Sequence, residues 1–569
     1  MDQSKKSLVK EKLEQLRAEA EERDAQRRAD KTGHSCADLI TSPINVEAIA
    51  LIPEETARRA KLAAFEIKEK KVALAVFDPT KEQAKKAIEE LKQKGYEPLI
   101  FIVSPKSLNH VLSFYRFVSE QKEQITGKVR IEEKKFSELK NILISLESIK
   151  ISIQPLNTET IHASQVLEII LAGALANRAS DIHFEPGERI VKLRLRIDGL
   201  LHDVFNELKK DIYEHLITKI KILSGLKINI HDETQDGRFT INLPEKNVEV
   251  RVAIAPSEFG EVAVMRLLDP DAIDLSLSDL GIREDDLEII KTELKRPNGM
   301  ILNTGPTGSG KTTTLYAFLK HKKSSEIKII TIEDPIEYHL EGIEQTQVDE
   351  EAGYSFENGL RSLMRQDPDA ILVGEMRDKE TAEIGIQAAL TGHIVFSTLH
   401  TNNASGAIPR LLDLGVKSTS IGPALNLIIA QRLVRQLCQN CKVLQETGDD
   451  LKDKIQKFLD NLPERVSRNN FKEIKIFKPV GCEKCNGTGY KGRIGIYEFF
   501  LNDQGHSVLS SHKTLEELIN QQAGEGAFRE FALEQGMVTM QQDGILKTIS
   551  GITTLEEVEG ITGPIIFLK

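Results

Sequence analysis

Eight consecutive residues constrain this chain more than any other feature: Gly305-Pro306-Thr307-Gly308-Ser309-Gly310-Lys311-Thr312. They match the glycine-rich pattern G-x-x-x-x-G-K-[ST] without a mismatch. Residues 300–303 before them are apolar and strand-like, and 313–319 after them read as a helix. Glycines let the backbone curl until successive N–H groups converge on phosphate oxygens. The helix start adds the positive end of its dipole. Lys311 supplies a charge for the β- and γ-phosphates, and Thr312 a hydroxyl for Mg2+. The motif predicts an α/β nucleotide-binding domain that takes ATP on Gly305, Pro306, Thr307, Gly308, Ser309, Gly310, Lys311, Thr312 and Thr313.

Hydrolysis needs more than binding, namely a group to position water and a second ligand for the magnesium. Residues 327–332 (IKIITI) form a strand ending in Glu333-Asp334-Pro335-Ile336-Glu337, and 370–373 (AILV) one ending in Gly374-Glu375. Carboxylates at the C-terminal ends of strands face the ligand in an open α/β sheet. A third strand, 393–398, leads into Leu399-His400-Thr401, bringing an imidazole to the same edge. Where many such enzymes carry Asp, this chain has Gly374, which leaves Glu375 to support the metal.

The chain has 569 residues, 40% of them hydrophobic and 29% charged, too many for one core and suited to several globular domains. No run approaches the roughly 20 uncharged apolar residues that cross a bilayer, and the charged N-terminus does not read as a secretory signal. A net charge of −11 argues against a dedicated nucleic-acid binder. We expect four parts: a charged, exposed or frayed helical tail over 1–32, a small α/β module over 33–148, a second α/β module over 149–272, and the phosphate-binding domain over 273–569. In the first module, residues 72–77, 81–94 and 99–103 read as strand, helix and strand. In the second, 161–178 is helical and 191–197 alternates before an Asp198-Gly199 turn into 200–204.

Four of the five cysteines form two pairs, Cys438-x-x-Cys441 and Cys482-x-x-Cys485. Four thiolates on two knuckles suit tetrahedral Zn2+ with no open position, which is a structural role. An iron–sulfur cluster or a redox pair is the alternative. The 40-residue spacer has room for a helical hairpin over 449–462, so we expect an insert over about 435–498, followed by C-terminal helices over about 513–569. Cys36 stands alone.

Taken together, residues 305–312, 331–349 (TIEDPIEYHLEGIEQTQVD), 374–378 and 397–401 closely resemble the Walker A, Asp, Walker B and His boxes of the secretion ATPases of type II secretion and type IV pilus systems. The resemblance extends to 179–186 (ASDIHFEP), 194–200 (RLRIDGL), 235–238 (QDGR) and 264–269 (VMRLLD), and so covers roughly 150–569. It implies a RecA-type P-loop domain with a zinc-binding insert, preceded by a PAS-like domain and a small N-terminal domain. By position it implies that Glu337 orients the attacking water, with Glu333 as competitor. It also implies that Glu375 is the Walker B carboxylate and that His400 is the sensor, with His393 as a weaker partner. Arginines of the second module reach the nucleotide in this family; Arg194, Arg196, Arg361 and Arg365 match, and Arg196 is preferred. Members are homohexamers in the cytoplasm that work on an inner-membrane platform protein, with a cytosolic adaptor in some systems, so membrane contact is peripheral. Residues 481–498 match the insert of pilus-extension and type II secretion members, which retraction members generally lack. The Arg-Leu-Gly-rich repeat by which some relatives bind cyclic di-GMP is not seen, so that regulation is not expected.

Two rivals remain at this stage. One is a nucleic-acid-dependent hexameric motor or a pilus-linked DNA-uptake ATPase. The other is a nucleotide switch that binds without hydrolysing.

Overall fold

The computed structural model describes residues 20–40, 44–68, 70–115, 128–130, 133–158, 162–243, 246–272, 274–471, 473–502 and 514–567. The chain divides into two compact units, Met1–Asp269 and Pro270–Lys569.

The first unit holds two sheets. β1 (Ser35–Cys36), β2 (Leu62–Lys68), β3 (Lys71–Val76) and β4 (Glu97–Ile102) form the smaller one, in the order β1-β4-β3-β2. β3 and β4 are parallel and joined by the helix Glu82–Gln93, the crossover that the spacing predicts. The preceding charged segment differs from expectation. Residues 20–32 are helical and not frayed, with Ala25 and Ala29 fully buried. Small side chains four apart let the helix lie close, and Arg28 stacks 4.1 Å over the Phe77 ring while donating to the carbonyls of Phe77 and Val103. Leu8, Val9, Leu13 and Leu16 lie outside the described residues.

The larger sheet contains β5 (Lys128–Arg130), β6 (Asp181–Pro186), β7 (Ile190–Ile197), β8 (Leu200–Lys209), β9 (Gln235–Asn242), β10 (Asn247–Ser257) and β11 (Gly260–Leu268), ordered β5-β9-β10-β11-β6-β7-β8. Asp198 (φ 51°) and Gly199 (φ 90°) make the two-residue turn between β7 and β8, the left-handed pair that a tight hairpin requires. Helices Ala163–Ala176 and Lys210–Leu223 contribute their apolar residues to the same core as the sheet's.

In the second unit, β12 (Gly299–Thr304), β13 (Ile329–Glu333), β14 (Glu344–Gln347), β15 (Ala370–Val373), β16 (Ile394–Leu399), β17 (Leu425–Leu437) and β20 (Tyr490–Leu501) form one sheet, ordered β14-β13-β15-β16-β12-β17-β20. All neighbours run parallel except β20, which is antiparallel to β17. The inner strands β12, β13, β15 and β16 are buried at every position because both faces of the sheet are covered there. Met300 and Leu302 join one core, while Ile301 joins the other with the helix Lys311–Lys322. Since the parallel strands end on one side, the residues that follow β12, β13, β15 and β16 gather at one edge.

The segment between β17 and β20 is built differently from the expected helical hairpin. It has one long helix, Asp449–Asp460, and a two-stranded antiparallel sheet of β18 (Val443–Gln445) and β19 (Ile476–Lys478). Ile455, Phe458 and Leu459 of that helix share a core with Ile545, Leu546 and Ile549 of the C-terminal helix Met540–Ile549, so no second local helix is needed to cover them. Within 435–498, residues up to Leu437 and from Tyr490 onward belong to the main sheet.

Candidate active site and metal centre

β12 delivers the chain to Gly305, and the helix starts at Lys311 with Gly310 (φ 87°) as its cap. Two glycines here are required by space. A Cβ on Gly305 (φ 155°) would lie 2.6 Å from the Gln431 carbonyl oxygen and 2.6 Å from Ser309 Oγ; one on Gly310 would lie 2.8 Å from Gln431 Nε2. The loop is therefore wrapped tightly over the neighbouring strand β17. Lys311 Nζ donates to the carbonyls of Gly305 (2.7 Å) and Pro306 (3.1 Å). Burial pulls its ammonium down to about 8; Glu375 opposes that shift and Arg432 adds to it. Thr312 and Thr313 follow in the first helical turn, half-buried.

Glu375 lies beyond the end of β15 and is mostly buried, pairing with Arg377 through one oxygen and standing 3.5 Å from His400 Nε2 through the other. His400 lies just past β16, and burial, with the nearby Lys311, lowers its pKa against the opposing pull of Glu375. Arg377 also reaches Asp334, at 3.9 Å. A ladder of hydroxyls braces these loops. Thr304 Oγ1 lies 2.7 Å from Thr401 Oγ1, and Thr398 Oγ1 donates to the Gly374 carbonyl at 2.7 Å. Lys311, Glu375 and His400 thus meet at the edge of the sheet.

Glu333, at the very end of β13, is 3% exposed. It accepts from Tyr316 Oη, from Thr331 Oγ1 (2.5 Å) and from Gln345 Nε2 (3.2 Å), and burial raises its pKa. A carboxylate occupied on both oxygens and shielded from water is a brace between the P-loop helix and the sheet. Glu337, four residues on, is only half-buried and near enough to Glu333 to raise its pKa further.

Other expected residues fall elsewhere. His393 precedes β16, at the opposite end from His400, and its Nδ1 faces the Ala388 carbonyl at 3.1 Å; a strand that delivers one histidine to the site carries the other away. Arg194 pairs with Asp203 (2.8 Å) and Glu185 (3.3 Å), and Arg196 with Asp181 (3.4 Å) and the Gly199 carbonyl. Arg361 pairs with Glu357 at 3.1 Å along its own helix. Arg365 sits in the turn Met364–Gln366.

Sequence reasoning passed over β17. Gln431 Oε1 accepts from Asn303 Nδ2 (3.0 Å) and Thr314 Oγ1 (2.9 Å), tying the strand before the loop to the helix after it. Arg432 Nη1 would stand 3.1 Å from a Cβ on Gly305. The pairing of Thr304 with Ala430 is what brings Gln431 and Arg432 under the loop, and no local motif announces it.

The four paired cysteines converge, with all four sulfurs within 4.8 Å of one another. Cys438–Cys482, Cys441–Cys485 and Cys482–Cys485 are 3.9, 3.8 and 3.7 Å apart. A tetrahedron with arms of about 2.3 Å has edges of about 3.8 Å, whereas a disulfide needs about 2.05 Å. An iron–sulfur cluster spreads its thiolates over several irons. The donor set fits one tetrahedral metal ion. Cys485 Sγ accepts from the N–H groups of Cys482 (3.1 Å) and Gly489 (3.3 Å), which favours the thiolate. Cys36 is free and lies in β1 of the first unit.

A parallel sheet with a glycine-rich phosphate loop at its edge, opposed by a Glu375–His400 pair, defines a P-loop ATPase. Residues 157–560 match the family model described as type II/IV secretion system protein, and residues 33–116 match the MshEN domain. The chain belongs to the type II/IV secretion system protein family. It is 41% identical over 398 residues to type II secretion system protein E of Dickeya dadantii, covering 70% of this chain and 75% of that one. Against the type IV pilus assembly ATPase PilB of Myxococcus xanthus it is 41% identical over 401 residues, covering 70% and 68%. The solved structure of the ATPase DotB from Legionella pneumophila is 21% identical over 70% of this chain and 95% of that one, with a TM-score of 0.49. Among the described residues, no helix is long and apolar enough to cross a membrane.

Proposed function

We propose that this ATPase is a homohexameric motor at the cytoplasmic face of the inner membrane, extending a type IV pilus or a type II pseudopilus through a membrane platform protein. The observation that carries this reading is the meeting of Lys311 with Glu375 and His400 at the edge of the sheet. In this reading Gly305–Thr313 hold the phosphates of ATP, and Thr312 and Glu375 hold Mg2+. Glu337 orients the attacking water, His400 reports on the terminal phosphate through Glu375, and Arg196 acts across the subunit boundary. Zn2+ on Cys438, Cys441, Cys482 and Cys485 staples the segment between β17 and β20, a device that suits extension. The four-part division, with boundaries near 32, 148 and 272, assigns docking to the first module and the trans arginine to the second. The net charge of −11 supports a protein partner over nucleic acid.

Turnover of the purified chain, measured with and without the cytosolic part of its platform protein and with single-stranded DNA, tests the proposal. Stimulation by the platform in hexamers, and none by DNA, is the expected result. Stimulation by DNA alone would establish the nucleic-acid motor instead.

A further inference from the structure

Arg432 is a cation without a carboxylate. Its guanidinium donates to two main-chain carbonyls, Gln431 through Nη1 at 2.9 Å and Asn402 through Nη2 at 2.9 Å, and to no carboxylate among the described residues. It is half-buried, and burial lowers its pKa despite the distant charge of Glu498, whose oxygens are taken by the N–H groups of Ala404 and Met540. Lys311, on the other flank of the same glycine loop, is likewise bonded only to carbonyls. The acid between the strand tips, Glu375, is engaged by Arg377 and His400.

Two half-buried cations beside one glycine loop repel each other; burial is what chiefly depresses the Lys311 ammonium, and Arg432 adds to it. Holding them there costs stability unless an anion arrives. A guanidinium bonded to carbonyls through two of its donors can trade those bonds for two charge-assisted bonds to phosphate oxygens, which are about twice as strong. The planar fork suits a polyphosphate better than an ammonium does.

We propose that Arg432 is a second phosphate-binding cation, supplied by the same subunit and acting opposite Lys311 on the polyphosphate of the nucleotide. This rests on the phosphate loop being the nucleotide site. Asn402, two residues beyond His400, is released when the guanidinium turns to phosphate, so filling of the loop is also felt by the segment that carries His400.

The test uses the full chain with Mg–ATP, ADP and inorganic pyrophosphate as probes. Arg432→Gln is expected to weaken ATP and pyrophosphate about tenfold or more, and Arg432→Lys by a smaller factor. A structural role alone would not give the second readout: in folded Arg432→Gln the loss falls on ATP and pyrophosphate alike, and Arg432→Lys recovers part of both. On the unmodified chain, where folding is not in question, Mg–ATP and pyrophosphate should protect Arg432 from phenylglyoxal while adenosine does not. ATP affinity within twofold of the parent in folded Arg432→Gln, or no protection by pyrophosphate, overturns the proposal. If Lys311→Ala still abolishes ATP binding in that case, the phosphate loop stands and only the role of Arg432 falls. If Lys311→Ala binds ATP normally, the loop assignment fails first.

Discussion

The carboxylate of Glu333 accepts the phenolic hydrogen of Tyr316, a residue of the helix that follows the phosphate loop. That bond supports the proposed choice of Glu337 over Glu333 in the segment 333–337. A general base needs a free lone pair directed at water, and Glu333 has given its oxygens to Tyr316, Thr331 and Gln345.

Substituting the two acids should therefore give opposite phenotypes. Glu337→Gln is expected to lower kcat by about 10²-fold or more with ATP affinity retained. Glu333→Gln should lower the melting temperature and weaken nucleotide binding through the displaced helix. Single-turnover kinetics beside thermal melts of both variants separate the cases, and a collapse of chemistry in Glu333→Gln at unchanged Tm would reverse the assignment.

Lys311 makes the site sensitive to alkali. In the empty chain its pKa lies at about 8, and a bound polyphosphate favours the charged amine. Binding above pH 8 must then take up a proton, so affinity falls by up to about tenfold per pH unit there and is level below. For the empty fold the sign is the reverse: stability from this group is present above the ordinary lysine value and is lost as pH falls through about 8. Calorimetric titration in buffers of different ionisation heat measures the proton directly. Equal heats in all buffers at pH 8.5 would refute the linkage.

The cysteine tetrad should carry about one zinc per chain. Cys485→Ser removes the sulfur that lies within 3.8 Å of both Cys441 and Cys482, and is expected to abolish retention of the metal and lower the Tm of the second unit. Metal analysis after gel filtration is the measurement; iron in place of zinc would correct the identity of the ion.

Asp543 anchors a buried charge network, accepting from Lys547 Nζ (2.5 Å), the Tyr497 N–H (2.9 Å) and Arg283 Nη1 (3.1 Å) while itself 0% exposed. Asp543→Ala strands the buried Lys547 ammonium, while Arg283 keeps Asp285 and Asp286, a change worth about 3–5 kcal/mol against the fold. Denaturant melts of the second unit should detect it. A loss under about 1 kcal/mol would mean that water replaces the carboxylate.

What could be read from the sequence was local. The phosphate loop, the tips of β13, β15 and β16, and the cysteine pairs are each defined by residues adjacent in the chain. Turn chemistry at Asp198-Gly199 and the crossover from β3 to β4 were legible for the same reason. Arg432 and Gln431 were not, because their place under the loop comes from strand pairing across more than a hundred residues. His393, offered as a weaker partner of His400, stands at the start of the strand that His400 follows, so one strand holds the two at opposite ends. The segment 449–462 was expected as a helical hairpin filling the spacer between the cysteine pairs; its one helix packs on the C-terminal helix instead, and nothing nearby in sequence says so. Alanines 25 and 29 were overlooked in a charged stretch because burial of small side chains leaves little mark on composition.

β17 passes beneath the phosphate loop at Gln431 and Arg432 and continues, with a register shift between Arg435 and Leu437, to the first cysteine, Cys438. Hydrogen bonding to β20 along that span makes it a stiff rod of roughly 20 Å. The floor of the phosphate loop and the root of the cysteine knuckle are thus one and the same strand.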